Sequence, residues 1–406
     1  MKFVARLKDG ERMTDLCREF GISRKTGYKF LERYERMSVV GLEDQRRAPG
    51  RIPHRTPPEI IELIVATRRE HPTWGPRKLL SYLEPRNEGI RFPAPSTVGD
   101  LLDRLGLIEP ARRRKKPLVT YSPLCHAKAP NDVWCTDYKG QFRMGNRHYC
   151  YPLTLTDASS RYLLAVEGLP NTRGEGARPV FEATFREFGL PGAIRSDNGA
   201  PFASTGIAGL SQLSVWWLRL GIGLERTEPA SPQQNGRHER MHRTLKAETT
   251  RPAGQNLLQQ QERFDCFRQI YNHERPHEAL GQRPPADFYV SSSRRFPDVL
   301  PEPEYPLDDI SVTIGRCGHV YIPGTGRKTG HMFISSALAG ERVGLRELDD
   351  RLWLVSFLHL SLGVVDLATG RFSARPPEPS TLSTSSTTGE KGLIENNGSE
   401  TPDNPT

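Results

Sequence analysis

Long apolar runs and paired cysteines are both missing from the sequence, and each absence excludes a class of protein. No apolar segment approaches the ~20 residues that a membrane-spanning helix needs, and the opening stretch, MKFVARLKD, is too highly charged for a secretion signal. The six cysteines, at positions 17, 125, 135, 150, 266 and 317, form no Cys-x-x-Cys pair, which argues against a disulfide framework and a zinc knuckle. We therefore expect a cytoplasmic protein with reduced thiols.

Charge is distributed unevenly along the 406 residues. Residues 1–130 contain 27 Lys and Arg against 16 Asp and Glu, a net charge of +11, whereas the whole chain carries +9. The rest of the chain is therefore slightly acidic. This asymmetry favours an amino-terminal part that binds a polyanion, joined to a module with another task, over a merely solvated basic surface.

A helix-turn-helix pattern occupies residues 13–35, inside a first predicted domain that spans residues 1–37. A glycine-containing turn separates two short helices, and Ser23 is the predicted N-cap of the second helix, which should turn Tyr28 toward the core. A plain helical hairpin is the alternative. Cationic and hydroxyl side chains crowd the start of the second helix, where they suit DNA phosphates and base edges. The predicted DNA-binding residues here are Arg24, Lys25, Thr26 and Lys29.

Three further amphipathic helices indicate a second helical or winged DNA-binding domain, residues 38–110. Thr56, Pro57 and Glu59 form a capping-box pattern at the start of the first of these helices. Ser96 is the predicted N-cap of the last helix.

A basic linker, residues 111–130, follows the two helical domains. Its ARRRKKP run is either a solvated extended segment or an arm that follows DNA phosphates. In the second interpretation the DNA-binding residues are Arg112, Arg113, Arg114, Lys115 and Lys116.

Runs of β-branched and aromatic residues replace the helical pattern from residue 131 onward. The predicted strands lie within residues 132–142, 148–169, 192–197 and 221–228. The predicted helices span residues 177–189, 233–248 and 257–272. Strands first, and then strands alternating with helices, imply an α/β domain with a mixed sheet over residues 131–290.

Three carboxylates converge in this predicted domain. Asp137 lies in the first strand, Asp197 opens an Asp-Asn-Gly triplet after a later strand, and Glu239 lies on the helix that follows the fifth strand. The triplet alone is an ordinary turn signal, but ligands bind at the ends of neighbouring strands in an α/β sheet. Three ionised carboxylates in one place need a counter-charge. Two Mg²⁺ or Mn²⁺ ions, about 3.5–4 Å apart, would supply it and would stabilise the oxygens of a phosphoryl transfer.

Five segments, in order along the chain, carry a resemblance to a known family. They are WCTDY, LTDASSRYL, IRSDNGAPF, TEPASPQQNGRHERMHRTLK and YNHERPHEALGQRPPADFY. Together they resemble the integrase core of DDE insertion-sequence transposases, which are relatives of retroviral integrase with a ribonuclease-H-like fold. Residues 13–35 resemble the helix-turn-helix of such transposases, so the resemblance covers roughly residues 12–290.

The resemblance implies a role for each matched residue. The catalytic and metal-binding residues are Asp137, Asp197 and Glu239. His242, Arg243 and Lys246 follow Glu239 by three, four and seven residues, on the helix face where the family's polar and basic residues meet terminal DNA. Asp157 matches a family position that we interpret as structural rather than as a metal ligand.

The sequence departs from the family pattern in the interval of 41 residues between Asp197 and Glu239, which is longer than usual in the family. We place the surplus around residues 204–214 and keep Glu248 as the fallback ligand. Two His-Glu pairs in residues 271–285 suggest a metal site, but we favour a structural or DNA-contacting segment because Pro276 interrupts them.

The resemblance implies a DNA transposase that binds insertion-element ends, cleaves them with divalent metal and transfers the 3′-hydroxyl to target DNA without a covalent protein intermediate. Its partners would be double-stranded DNA and further copies of the chain, a dimer or larger, in the nucleoid of a bacterial cytoplasm. Two alternatives stay open. One is a metal-dependent nuclease of the same fold, and the other is a non-catalytic DNA-binding regulator derived from a transposase.

The carboxy-terminal part completes the predicted multidomain fold of all-α helix-turn-helix domains and an α/β ribonuclease-H-like core. Residues 305–372 alternate and turn like a small β-barrel, and a comparable module binds DNA in the family. Residues 373–406 lack enough apolar surface to order themselves, so we expect a disordered tail.

Overall fold

The computed structural model describes residues 2–44, 56–108, 127–226, 236–307, 309–322 and 331–374. The predicted phosphate-following arm at 112–116 lies outside the described residues, as does nearly all of the predicted disordered tail. The chain divides into two compact units, residues 1–62 and 63–406.

Three short helices form most of the amino-terminal unit: α1 (Lys2–Lys8), α2 (Met13–Glu19) and α3 (Arg24–Met37). Ser23 caps α3, as predicted, because its hydroxyl accepts a hydrogen bond of 3.1 Å from the backbone N–H of Thr26. The α1 helix was not predicted, and it contributes apolar side chains to the small core. The buried apolar residues of this unit include Phe3, Val4, Leu16 and Cys17.

The orientation of α3 corrects one prediction. Tyr28 is 59% exposed instead of facing the core. The inner face of α3 is formed by Gly27, Phe30 and Leu31, which lie three and four residues apart. Tyr28 therefore points to solvent.

Helices α4 (Pro58–Glu70), α5 (Pro76–Leu83) and α6 (Pro95–Arg104) follow. Residues 56–108 contain no strand, which favours the helical over the winged alternative. The predicted N-cap Ser96 is wrong, because α6 begins at Pro95 and its N-cap, Ala94, lies two residues before the predicted one.

A six-stranded mixed sheet is the centre of the second unit, as predicted. Its strands are β1 (Val133–Tyr138), β2 (Phe142–Arg143), β3 (Tyr149–Asp157), β4 (Leu163–Leu169), β5 (Ala193–Ser196) and β6 (Gly223–Arg226). The main order across the sheet is β4-β3-β1-β5-β6, and β2 pairs with the start of β3. Strands β1, β3 and β4 are antiparallel neighbours, whereas β5 and β6 run parallel to β1.

Helices cover both faces of this sheet. They are α7 (Gly174–Phe188), α8 (Gln212–Arg219), α9 (Gly236–Thr249) and α10 (Leu257–His273). Phe181 of α7 and Trp217 of α8 share one apolar core with Trp134 of β1. Met241 of α9 and Phe264 of α10 share another core with strands β3 and β4. The sheet is therefore buried on both sides, which explains the continuous apolar run in β4.

Residues 204–214, where we place the surplus between Asp197 and Glu239, lie in the connection between β5 and β6. A short 3₁₀ turn, Ile207–Gly209, comes first. Ser211 and Ser214 then form a reciprocal capping box at the beginning of α8. The location of the surplus stays a prediction.

The predicted carboxy-terminal β-barrel is wrong. The strands are β7 (Ile310–Thr313), β8 (His319–Tyr321), β9 (His331–Phe333), β10 (Arg342–Asp349), β11 (Leu352–Phe357), β12 (Leu360–Asp366) and β13 (Arg371–Ser373). Five of them form an open antiparallel sheet of order β13-β12-β11-β10-β7, and β8 pairs with β9. Helix α8, through Val215 and Leu218, packs on the apolar core of these strands. Because the helix covers that core, the sheet buries its apolar face without closing.

Gly189 ends α7 and turns the chain toward β5, so its replacement should be costly. Its φ is +79°, and an added Cβ would lie 2.7 Å from the backbone oxygen of Arg294 and 2.8 Å from that of Ser292. We expect Gly189→Ala to lower the free energy of unfolding by about 2–4 kcal/mol, measured by chemical denaturation.

Gly106→Ala is the matched control, because Gly106 also follows a helix with a φ of +67° but has nothing within 4 Å of an added Cβ. It should cost only about 1 kcal/mol, the strain of the left-handed backbone. Equal losses in the two variants would contradict the steric explanation.

Candidate active site

The pairing of β1 with β5 brings two predicted site residues to one edge of the sheet. Val133 lies opposite Ala193 and Cys135 opposite Arg195 in this parallel pair. Asp137 lies two residues beyond the last of these pairs, and Asp197 directly follows the last residue of β5. Because β1 and β5 run parallel, both carboxylates lie at the carboxyl end of the central strands. They are close enough for the charge of Asp197 to raise the pKa of Asp137.

The loop after β5 holds Asp197 in place. The backbone N–H of Gly199 donates a hydrogen bond of 3.3 Å to Asp197 Oδ1, so the Asp-Asn-Gly triplet also forms a turn. Arg226, the last residue of β6, donates hydrogen bonds to the backbone oxygens of Phe202 (2.9 Å) and Gly209 (3.3 Å). Arg226 thus ties the loop to the sheet. Sequence reasoning missed it, and a cation at the carboxyl end of a strand is the signal that could have found it.

Asp137 experiences an unfavourable electrostatic environment. Burial, followed by the negative charge of Asp197, raises the pKa of Asp137 to about 7, and Glu239 acts in the same direction. Only 24% of the Asp137 side chain is exposed. An ionised carboxylate in this position requires a cation, so the site fits a bound divalent metal.

A buried network of hydroxyl and imidazole groups lies beside Asp137. Thr154 of β3, which is paired with Asp137, donates a hydrogen bond of 3.0 Å to the Asp137 backbone oxygen. The same hydroxyl oxygen is 2.7 Å from His238 Nε2 and 2.7 Å from His242 Nε2. Thr156 Oγ1 is 3.1 Å from His238 Nδ1. The other ring nitrogen of His242, Nδ1, lies 3.7 Å from Asp137 Oδ2.

His242 does not share the solvent face of Glu239, which corrects its predicted role as a DNA contact. The side chain is only 3% exposed, and burial lowers the pKa of His242 far below its ordinary value. It belongs to the face of α9 that packs on the sheet. Arg243 and Lys246 are exposed together with Glu239, so the predicted grouping is correct for those two cations.

Within the described part of the chain, one group of three metal-binding side chains has its ligand atoms within 4.8 Å of one another. It consists of Asp137, His238 and His242. Asp197 and Glu239 lie outside this group, although the charge of each raises the pKa of Asp137. The sequence analysis missed His238 as a site residue. Two histidines four residues apart on one helix, on either side of Glu239, are the signal that could have found the pair.

Comparisons with known families match two kinds of domain to successive parts of the chain. One family model for the integrase core domain matches residues 127–232 and a second matches residues 220–285. A helix-turn-helix model matches residues 1–50, and a homeodomain-like model matches residues 26–102. Residues 127–285 are thus similar to an integrase core domain.

Relatives of this protein come from insertion elements and retroviruses. A 39.2 kDa protein of insertion element IS476 from Xanthomonas euvesicatoria is 26% identical over 257 residues, which are 62% of this chain and 70% of that protein. A 31.7 kDa protein of IS407 from Burkholderia multivorans is 26% identical over 179 residues, 44% of this chain and 62% of that one. The Gag-Pol polyprotein of baboon endogenous virus is 35% identical over 103 residues, 25% of this chain and 6% of the polyprotein.

Solved structures similar to this chain include two from retroviruses. The HTLV-2 integrase catalytic core domain in complex with magnesium shares 14% identity, covers 40% of this chain and 99% of its own, and has a TM-score of 0.33. The simian T-cell lymphotropic virus intasome in complex with the PP2A subunit B56 gamma shares 14% identity, covers 74% of this chain and 97% of its own, and has a TM-score of 0.35.

Among the described helices of this chain, none combines the length and apolarity of a membrane span.

Other carboxylates of the integrase core have structural partners. Glu248, the fallback ligand, forms an ion pair of 2.7 Å with Arg275 and also accepts a hydrogen bond from Thr73. Asp157 is 1% exposed and accepts hydrogen bonds of 2.6–2.7 Å from the backbone of Asn131 and from the backbone and hydroxyl of Ser160. Both acids are thus engaged in holding loops. Among the described residues, the basic side chain recorded within ion-pair distance of Asp137 is that of His242, which burial keeps neutral.

The segment 271–285 is structural over much of its length. The side-chain amide of Asn272 exchanges two hydrogen bonds with the backbone of Leu163 in β4, of 2.8 and 2.9 Å. Arg275 is buried in the ion pair with Glu248. Among the described residues, no three metal-ligating side chains of this segment lie close together.

The cations at the start of α3 are available to a partner. Arg24, Lys25 and Lys29 are exposed. Thr26 is half-buried, and its hydroxyl lies 2.9 Å from the Ser23 hydroxyl within the cap. Three of the four predicted side chains are thus free to reach DNA, and Thr26 contributes to the cap.

The raised pKa of Asp137 predicts a specific dependence of stability on pH in metal-free buffer. The folded protein holds this proton up to about pH 7, whereas the unfolded chain releases it near pH 4, so the free energy of unfolding should fall as pH rises between these values. Asp137→Asn removes the titration. The variant should be more stable than wild type at pH 8. The difference is at most roughly 1.4 kcal/mol for each pH unit that separates the pKa of Asp137 in the folded and unfolded states.

Thermal denaturation in EDTA between pH 4 and pH 8 measures this difference. The advantage of Asp137→Asn should shrink toward pH 4, where the side chain is protonated in the folded wild type and about half protonated in the unfolded chain. An advantage that is constant over the whole range would contradict the electrostatic explanation.

Proposed function

We propose that this protein is a DNA transposase that cleaves insertion-element ends and joins their 3′-hydroxyls to target DNA. The observation that supports the proposal is that Asp137 and Asp197 lie at the carboxyl end of the parallel strands β1 and β5, where burial and the charge of Asp197 raise the pKa of Asp137 to about 7. The helix-turn-helix and integrase-core matches support DNA as the substrate.

The residues that would hold divalent metal in this proposal are Asp137, Asp197 and Glu239. Asp137 is central because its strand neighbour Asp197 lies on one side and the charge of Glu239 also reaches it. Mg²⁺ or Mn²⁺, when bound there as a pair, supplies Lewis-acid stabilisation of the negative charge that develops on a phosphate undergoing in-line displacement. The magnesium in the HTLV-2 catalytic core supports the choice of ion.

The proposed reaction consists of two displacements at phosphorus. In the first, a water oxygen attacks the phosphodiester at the element's end, and the bond to the 3′-oxygen breaks to leave a 3′-hydroxyl. In the second, that hydroxyl attacks a target phosphodiester, which releases one target strand. Neither displacement needs a Ser or Tyr nucleophile. The side chains hold the reacting groups, and Arg226 keeps the Asp197 loop fixed during both displacements.

DNA recognition in this proposal belongs to two surfaces. The exposed cations Arg24, Lys25 and Lys29 at the start of α3 would enter the major groove of an element end. Arg243 and Lys246 share the solvent face of α9 with Glu239, so they would bind the phosphates next to the reacting bond. Because two element ends must be cut and joined together, we expect the working form to contain at least two chains.

Strand transfer on labelled oligonucleotides that carry the native element's ends, with Mg²⁺ or Mn²⁺, tests the proposal. Asp197→Asn keeps the shape of the side chain and removes its charge. We expect it to lower the rate of strand transfer by about 1,000-fold or more, since metal stabilisation of the transition state is worth several kcal/mol.

Glu248→Gln is the matched control for Asp197→Asn. It also removes one carboxylate charge, but from the ion pair with Arg275, so it should lower thermal stability and leave strand transfer by the folded protein within about threefold of wild type.

Cleavage without joining by the wild-type protein would favour the nuclease alternative. Binding of the ends with neither cleavage nor joining would favour the regulator.

A second prediction concerns recognition of the element ends. Arg24→Ala should weaken binding of an end oligonucleotide by about 5- to 100-fold, since a base-edge contact is worth about 1–3 kcal/mol. Arg36→Ala is the control, because Arg36 is also exposed on α3 but lies near its other end. Fluorescence anisotropy at fixed salt measures both. Equal losses in the two variants would contradict entry of the α3 start into the groove.

A further inference from the structure

The hydrogen-bond network beside Asp137 fixes the proton positions on two buried histidines. A threonine hydroxyl has one proton to donate and two lone pairs to accept. The Thr154 proton goes to the backbone oxygen of Asp137, which can only accept. The two remaining contacts of this hydroxyl, with His238 Nε2 and His242 Nε2 at 2.7 Å each, must therefore both be donated by the imidazoles. Each histidine carries its proton on Nε2.

The other ring nitrogen, Nδ1, then carries a lone pair in each buried neutral imidazole. His238 Nδ1 accepts a hydrogen bond from the hydroxyl of Thr156, at 3.1 Å. His242 Nδ1 has a different neighbour, since it lies 3.7 Å from Asp137 Oδ2. A nitrogen lone pair thus faces a carboxylate oxygen, and no proton lies between them when Asp137 is ionised. A nitrogen lone pair and a carboxylate oxygen this close together are stable when a cation lies between them.

We propose that His242 Nδ1 is a ligand, together with Asp137 Oδ2, of one of the divalent cations at this site. The inference rests on the proposed function only in taking a cation to bind at Asp137. It adds a nitrogen to a ligand set that the sequence predicted to contain oxygen alone. Imidazole ligands favour Mn²⁺ over Mg²⁺, so this site should discriminate between the two ions.

Thr154 acts as a positioning residue in this arrangement. It is paired with Asp137 across β1 and β3, so one residue orients both the backbone of Asp137 and the ring of His242. A hydrogen-bond partner of this kind sets the tautomer and the direction of a histidine ligand. His238 contacts the same hydroxyl, but its own Nδ1 is occupied by Thr156.

Pulsed electron paramagnetic resonance of Mn²⁺ bound to the full chain tests the ligand directly, because a coordinated imidazole modulates the electron spin echo at nitrogen-14 frequencies. We expect this modulation in wild type, its loss in His242→Asn and its retention in His238→Asn. The last variant is the matched control, since His238 is equally buried and contacts the same threonine. Absence of the modulation in wild type, or its loss only in His238→Asn, would overturn the assignment.

Calorimetric titration of each protein with Mn²⁺ and with Mg²⁺ gives a second readout. His242→Asn should weaken Mn²⁺ binding by about tenfold or more and Mg²⁺ binding by clearly less. If His242→Asn does not fold, as judged by circular dichroism, Thr154→Val and Thr154→Ser take its place. Valine keeps the shape but loses the hydroxyl, so it should weaken Mn²⁺ binding, whereas serine should preserve it. Equal Mn²⁺ affinity in the two Thr154 variants would contradict the proposal.

Failure of this inference can be distinguished from failure of the proposed function. Nitrogen modulation in a protein that does not join DNA would support the His242 ligand and overturn the transposase proposal. Strand transfer by a protein without nitrogen modulation would support an oxygen-only site and overturn the ligand. A wild-type chain that binds no Mn²⁺ would overturn the ligand whatever its activity.

Discussion

The register between β1 and its two neighbours is the constraint on which the candidate site depends. Pairing with the parallel strand β5, which Asp197 follows, brings both carboxylates to the same end of the sheet, and pairing with β3 places Thr154 opposite Asp137. A slip of one residue would turn the Asp137 side chain to the other face of the sheet. The two apolar cores on either side of the sheet resist such a slip, because every buried strand residue would have to exchange faces. Core packing therefore holds two like charges together.

Helix α9 packs one face on this end of the sheet and exposes the opposite face to solvent. Its inner face carries His238, Met241 and His242, which are buried. Its outer face carries Glu239 and Arg243, which are exposed. One amphipathic helix thus carries an exposed carboxylate and an exposed cation on one face and the buried imidazole network beside Asp137 on the other. The roles are separated by the helical period of 3.6 residues and not by distance along the chain.

Electrostatic contrast distinguishes the candidate site from other buried acids of the core. Asp157 and Glu248 are surrounded by donors from the protein itself, namely backbone N–H groups, a serine hydroxyl and an arginine. Asp137 instead faces a second carboxylate and an imidazole lone pair. Hydrogen bonds and an ion pair thus oppose the cost of burial at the first two acids, whereas at Asp137 a second negative charge adds to that cost and raises the pKa further.

The sequence by itself determined the order of strands and helices in the central domain and where Asp137 and Asp197 stand in that order, because strand periodicity, turn residues and helix caps act over a few neighbouring residues. It predicted the Ser23 cap and the mixed sheet for that reason. Only the tertiary structure decided which face of α9 His242 occupies and whether the carboxy-terminal sheet closes. Alternating apolar residues show that a face is buried but not what covers it, and that depends on packing between residues far apart in the chain.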